Sequence, residues 1–261
     1  MKRIRFCAEA AYLAGILFMA FGVACVSRSN FGYSMMVAPV YLLYQKLSPY
    51  LPFLTFGMTE YLFQGLLILV LALVVRRFRL RYLLSFVTAV IYGFVFDGAL
   101  WLVSFVPAGG IFGRILWFAV GEFGIALAVM LFMHTYLAPE AYELFVKEVS
   151  LVYRKPFPRV KLFYDLGSLA VAVILSFSLF GAGAFRDFTW AGFFAAVRDG
   201  FLIEGIGLGT VVAAFLNGPL IGLLDRTLGA HLDFTPCVKR AREAQESIGE
   251  NRQESGEERP Q

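Results

Sequence analysis

Asp97, Asn217, Gln64 and Glu122 are polar side chains set deep inside long apolar stretches of a 261-residue chain. An ionisable group carried into hydrocarbon costs roughly 2.5–3.5 kcal/mol on insertion scales, so it normally has a polar partner or a task. Carboxyls and amides in such positions suit a site that binds a proton, an ion or a polar small molecule. Glu60 and Gln64 are four residues apart and share one face of a helix. Glu60 lies near the outer end of its apolar run, where it can reach water, and Gln64 lies deeper. Glu122 sits well inside its run, with Arg114 about two turns before it. Secondary candidates are Glu204, next to Gly205, Gly207 and Gly209, and the pair Arg28 and Ser34.

No catalytic constellation accompanies them. GxSxG and HExxH are absent, and the only histidines, His134 and His231, have no acidic partner at ligand spacing. An enzyme, a cofactor and a metal centre are therefore not expected. Cys7, Cys25 and Cys237 are odd in number and far apart, which argues against a disulfide framework or a zinc site. The glycines at 205–209 have no preceding strand and no following GK[ST], so they do not form a phosphate loop.

The elements that must position these residues are helices in a bilayer. The chain is 59% hydrophobic and 16% charged, against about 25% charged for a soluble domain. A membrane helix needs about 20 apolar residues. The runs 10–27, 56–75, 83–106, 113–135, 162–183 and 203–224 qualify. The fold class is an all-α polytopic membrane protein, with a membrane domain over 1–235 and a disordered cytoplasmic tail over 236–261. The first run follows MKRIRF without a clean cleavage site and reads as a retained span.

Segment 33–47 (YSMMVAPVYLLYQKL) decides the topology. If it does not cross and the N-terminus is cytoplasmic, the outside keeps only Arg28, Lys46, Arg114, Arg186 and Arg198 of the 23 Lys and Arg. If it crosses, most basic residues fall outside, against the positive-inside rule. Six spans with both termini cytoplasmic is the expected arrangement. Segment 33–47 then reads as an interfacial helix anchored by Tyr33, Tyr41, Tyr44 and Tyr50. The alternative is a dip into the membrane, with Ser34 as N-cap and Arg28 facing an anion. The net charge of +4 needs no nucleic acid, because basic loops facing anionic lipid account for it.

The chain also divides into halves of one plan, about 10–106 and 113–224. Each has a span, a short non-crossing segment and two further spans. The second short segment, 138–152 (APEAYELFVKEVSLV), carries Glu143, Lys147 and Glu148 and is expected to lie on the inner surface. TAVIYGFVFDGALWLV (88–103) is similar to LGTVVAAFLNGPLIGL (208–223), which sets Asp97 opposite Asn217. Three spans per half force opposite insertion, a plan that recurs in secondary transporters.

On SNFGYSMMVAP, on YLFQGLLILVLALVVRRFRLRYLLSFVTAVIYGFVFDG and on GIGLGTVVAAFLNGPLIGLLDR, the chain resembles the YitT/YczE group of bacterial integral membrane proteins. The YczE side is the closer. The resemblance implies a cytoplasmic-membrane protein of bacteria and supplies no activity and no site residues. YitT-type members carry a soluble C-terminal domain where this chain has only a polar tail.

The functional expectation is a small secondary transporter working by rocking of two inverted halves around Asp97, Gln64, Glu122 and Asn217. Its small-molecule or ion substrate is unidentified. The alternative is a non-transporting accessory or assembly partner of another membrane complex, working with a membrane-protein partner or a second copy of itself.

Overall fold

The structure, a computed structural model, describes residues 4–76, 81–155, 157–181 and 202–237. Among the described residues, six helices have the length and apolarity to cross a bilayer. Numbered with the two shorter ones in chain order, they are α1 (Ala8–Ser29), α3 (Phe56–Val75), α4 (Arg81–Ser104), α5 (Ile111–Met133), α7 (Phe157–Phe180) and α8 (Leu208–Thr227). The shorter pair are α2 (Ala38–Leu47) and α6 (Ala141–Val152). The expected spans and helices agree closely except at the last one. Residues 203–206 form a turn closed by an Ile203–Ile206 bridge, and α8 begins only after it. The tail beyond Cys237 and the basic stretch 77–80 lie outside the described residues.

The polarity of α3 is inverted relative to a helix of a water-soluble protein. Leu62, Leu66, Leu69 and Leu73 form its exposed stripe, while Glu60 and Gln64 on the opposite face are wholly buried. Lipid is the solvent that tolerates this arrangement, and the chain is a membrane-embedded helical protein. Glu60 therefore does not reach water at a span end, as its sequence position suggested. It points into the bundle.

The bundle is organised around α1 and α5, which run antiparallel and touch through glycines. A Cβ on Gly22 would sit 2.8 Å from the Ile125 nitrogen, and one on Gly121 would sit 2.7 Å from the Gly22 oxygen. Helix α4 flanks α1 in parallel, with Tyr12 bonded to Thr88 at one end and Arg28 to the Val106 carbonyl at the other. Helix α8 flanks α5 in the same sense, with Gly209 against Phe118 and His134 bonded to Asp225.

The two short helices cross over between the halves. Along α7, Met36 lies at Lys161, and Lys46 donates to the Leu179 carbonyl, so α2 runs parallel to α7. Along α3, the Ala141 nitrogen donates to Gln64, and the Tyr153 hydroxyl to the Val74 carbonyl. Helix α6 therefore runs parallel to α3, from its middle towards its end. The expectation that 138–152 lies on the membrane surface is thus corrected. Ala141, Tyr142, Glu143, Leu144, Val146 and Glu148 are buried, because their polar members face α3, α4 and α7 rather than solvent. Segment 33–47 is corrected in the same direction. Met35, Met36, Val37, Ala38, Val40 and Leu42 are buried, so this segment dips into the protein instead of lying along its surface.

A two-residue parallel pair ties the ends together, β1 (Ile4–Arg5) with β2 (Leu232–Asp233). A disulfide joins Cys7 to Cys237 beside it, contrary to the expectation that none would form. The pair is 230 residues apart in sequence and is brought together only because α1 begins where the chain after α8 ends. If the basic loops are cytoplasmic, as the positive-inside rule expects, this end of the bundle faces a reducing compartment. The two thiols are expected to be free in living cells and to join on purification in air. Alkylation in acid-quenched cells followed by mass spectrometry should find both cysteines labelled. A pair already bridged in the cell would reverse the orientation.

Candidate functional site

Helix N-termini from α2 and α6 meet in the middle of the bundle. The chain enters α6 through Ala138 and Pro139, whose carbonyls accept from Thr88 at 3.0 Å and Ser85 at 2.6 Å on α4. These two hydroxyls hold an otherwise orphaned stretch of backbone inside the apolar bundle. Glu140 then caps α6 by position, and Gln64 clamps it with both ends of its amide. Gln64 Nε2 donates to Glu140 Oε2 at 3.4 Å, and Gln64 Oε1 accepts from Ala141 N at 3.0 Å. On the α2 side, Gly32 has a φ of +100° and turns the chain inwards. The Ser34 carbonyl accepts from Val37 and Ala38, and Val37 is the N-cap. The expected capping role of the Ser34 side chain is therefore not what the structure shows. Ser34 lines a cavity instead.

That cavity has space for about one water molecule. Its polar wall is Ser34, Glu60, Tyr92, Glu140, Tyr142 and Glu143, and Met19, Val23 and Ile125 close it from α1 and α5. Next to it, Lys161 of α7 donates to Glu143 Oε1 at 2.9 Å, lies 3.4 Å from Asp165 and touches the Met36 sulfur at 3.1 Å. Lys161 is only 2% exposed, so this is a fully desolvated ion pair. Glu143 and Asp165 thus share one lysine, whose charge also reaches Glu140. Burial, with Glu60 and Glu143 close by, holds the Glu140 carboxyl well above the usual carboxylate range. The same burial, beside Glu60, raises the Tyr142 phenol. Gln64 and Tyr142 stand beside Glu60, yet neither Glu60 oxygen accepts a hydrogen bond of full geometry. The free oxygens at this cavity are both of Glu60, Oε1 of Glu140, Oε2 of Glu143 and the Tyr142 hydroxyl.

The sequence candidates separate on this frame. Gln64 belongs to the site as the clamp of Glu140. Glu122, on α5, is buried beside Asn217 of α8, with Asp165 of α7 in its neighbourhood. Asp97 stands elsewhere. It accepts from Thr55 at 2.7 Å and from the Gly57 nitrogen at 2.9 Å, so it finishes the N-terminus of α3 together with Thr55. Its bonds go to that cap, and none goes to Asn217. Arg114 caps α1, donating to the Ser29 carbonyl at 2.8 Å and to that of Asn30, with its guanidinium over the Phe31 ring. Arg28 donates from Nε to the Val106 carbonyl, and neither arginine lines the cavity. Glu204 sits near Tyr33 and Tyr41 on the flank of α2.

Four members of the cluster were not singled out from sequence: Glu140, Glu143, Lys161 and Asp165 as an interacting set. The available signal was that α6 and the start of α7 place three acids and one base at helical spacing, which reads equally as a wetted surface. Away from the cavity, Cys7, Glu9 and Cys237 lie close enough to hold a metal ion. Here the sulfurs are bonded to each other, and Glu9 accepts from the Cys237 nitrogen and the Tyr136 hydroxyl, so this trio is already satisfied. His134 does have an acidic partner, Asp225 at 2.6 Å, supplied by α8 rather than by local spacing.

Residues 6–226 match a family described as a family of unknown function (DUF6198). No curated protein and no solved structure matches the chain.

Proposed function

The chain belongs to the DUF6198 family, and from that premise we propose that it is a small secondary transporter. Its setting is the bacterial cytoplasmic membrane, with both termini on the cytoplasmic side. The observation that carries the reading is the buried carboxyl-lined cavity at which the N-termini of α2 and α6 meet. Half-helices ending at mid-membrane around a polar site, one from each half of the chain, are the recurring construction of transport sites. The contact pattern supports an inverted repeat. Exchanging α1 with α5, α2 with α6, α3 with α7 and α4 with α8 turns the α1–α4, α3–α4, α2–α7 and α2–α3 contacts into α5–α8, α7–α8, α6–α3 and α6–α7, while α4–α6 has no such counterpart. The antiparallel course of α1 and α5 is what opposite insertion of the halves requires. The basic loops support the orientation, and the YitT/YczE resemblance supports the bacterial setting.

The rocking bodies, in this reading, are not the two sequence halves. Helix α2 rests on α7 and α6 rests on α3, so separating the halves would strip both short helices from their walls. A frame of α1, α4, α5 and α8 against a mobile set of α2, α3, α6 and α7 keeps those contacts. One feature favours the alternative of a non-transporting accessory protein: the cavity holds only about one water, as a solid core would.

Side access decides between them. Ser34→Cys, in a chain with Cys7, Cys25 and Cys237 replaced by Ser, is expected to react with a membrane-impermeant thiol reagent. It should do so from the outside of intact cells and from the inside of inverted vesicles. Protection from both sides in folded protein would remove transport and leave the accessory role.

A further inference from the structure

We infer that a plug of aromatic rings centred on Phe56 and latched by Asp97 is the gate between the central cavity and the bilayer face at which α1 ends. This rests on the reading of the cavity as a substrate site and names one route to it.

The plug begins in the cavity wall. Tyr92 of α4 lines the cavity, and its ring stacks on Phe96 one turn along, with centroids 5.6 Å apart. Phe96 meets Phe56 of α3 edge-on at 5.2 Å. Three tyrosines hold Phe56 from the α2 side. Tyr44 stacks on it at 5.4 Å, and Tyr33 and Tyr41 meet it edge-on at 5.7 and 6.0 Å. Tyr33 and Tyr41 stack on each other at 4.0 Å. Rings from α4, α3 and α2 with the turn before it thus fill the seam where these elements meet.

Burial falls off along the plug. Tyr92, Phe96 and Phe56 are 1%, 0% and 7% exposed, the three tyrosines are half-buried, and Thr55, next to Phe56, is exposed. Glu60, in the cavity wall, is one turn from Phe56 on α3, about 6 Å along the axis. The cavity therefore lies about one helical turn beneath exposed Thr55, and the Phe56 ring fills that turn. The way to the opposite face is longer. From Gln64, at the start of α6, to the end of α3 at Val75 is about 16 Å of helix, and α6 runs beside it.

Asp97 is the latch. From α4 it accepts from the Thr55 hydroxyl at 2.7 Å and the Gly57 nitrogen at 2.9 Å, one on either side of Phe56. Both bonds cross the seam and hold the ring against Phe96. Beside them the two helices touch backbone to backbone, since a Cβ on Gly93 would lie 2.9 Å from the Gly57 oxygen. A packed contact of this kind is made or broken, not stretched. In the rocking proposed above, α4 belongs to the frame and α2 and α3 to the moving set, so this seam opens. Exchange of the halves maps it onto α6, α7 and α8. There Lys161 with Glu143 and Asp165, and Phe145 against Tyr164 at 5.2 Å, stand in place of the plug. Opposite insertion of the halves turns that second seam to the other face, which gives the cavity one gate per side.

The test uses the Ser34→Cys chain lacking the three native cysteines, with a trimethylammonium methanethiosulfonate as the impermeant reagent. Phe56→Ala is expected to speed modification in intact cells by about tenfold or more, the population shift of a weakened seam, and to leave inverted vesicles unchanged. Asp97→Ala, which cuts the latch and keeps every ring, should act in the same direction. Phe145→Ala, at the second seam, should leave the rate in intact cells as it was. Folding is checked by size-exclusion chromatography in detergent, and if Phe56→Ala fails to fold, Asp97→Ala is read in its place. An unchanged rate in intact cells, a rise from both sides alike, or an equal rise in Phe145→Ala overturns the inference. A rise confined to inverted vesicles keeps the gate and reverses the orientation of the chain. The transport reading fails separately. Protection of the starting chain from both sides removes transport, and modification of Phe56→Ala in intact cells then still upholds the plug as the barrier. Two-sided access in the starting chain with no effect of Phe56→Ala keeps transport and overturns the gate.

Discussion

Lys161→Met is expected to destabilise the protein more than any other single substitution in the polar cluster, by about 3–5 kcal/mol. The lysine is 2% exposed, and its ammonium lies 2.9 Å from Glu143 and 3.4 Å from Asp165. Methionine keeps the length of the side chain and its contact with the Met36 sulfur, so packing changes little. What is lost is the positive charge that Glu143 and Asp165 share, and both are left buried without that counter-ion. The pair's worth against an apolar replacement is a separate quantity, and restoring charge balance tests it. Lys161→Met combined with Glu143→Gln and Asp165→Asn removes the orphaned charges and should recover most of the lost melting temperature. Thermal melting in detergent reads both effects. A single variant that melts with wild type, or a triple variant that melts lower than the single one, would show that the ion pair is not what holds α6 to α7.

The contrast between what was legible in sequence and what was not follows from how membrane helices carry information. Spans are visible because lipid demands long apolar runs, and the 56–75 run matches α3 residue for residue. The direction a short segment takes is not visible. The pattern of α6, with Glu143, Lys147 and Glu148 among apolar residues, is the same for a helix on a wet surface and for one whose acids meet Lys161 and Tyr82 inside the bundle. Only the partners differ, and they come from α7 and α4. Asp97 shows the converse error. About halfway along an apolar run it looked central, but it lies about two turns before the end of α4 at Ser104, level with the start of α3, whose cap it completes. Gln64, Glu122 and Asn217 were legible because each is polar and far from any span end. Glu140 was not, because it precedes a helix, where an acid is ordinary. The Cys7–Cys237 bridge left no local trace at all.

The closest helix contact in the frame gives the other large effect, with opposite signs at two sets of glycines. Gly22→Ala and Gly121→Ala are each expected to destabilise by about 1–3 kcal/mol, the cost of overpacking a tight interface. A Cβ at Gly22 would lie 2.8 Å from the Ile125 nitrogen and 2.9 Å from the Gly121 oxygen. A Cβ at Gly121 would lie 2.7 Å from the Gly22 oxygen and 2.8 Å from the Val26 nitrogen. These are backbone atoms, so no side-chain rotation relieves them, and α1 must move away from α5. Val23 and Ile125, which close the central cavity, sit on the same contact, so the wall of the site moves with it. The two substitutions act on one interface, and their double variant should fall short of the sum. Gly98 on α4 and Gly222 on α8 have nothing within 4 Å of the position a Cβ would take. There, alanine only removes the entropy cost of glycine in a helix, and Gly98→Ala and Gly222→Ala should be neutral or stabilising by up to about 1 kcal/mol. Melting of the four single variants in one detergent tests the contrast. Equal losses at all four positions would mean that helix glycines as such, and not the α1–α5 approach, set the stability of the frame around the site.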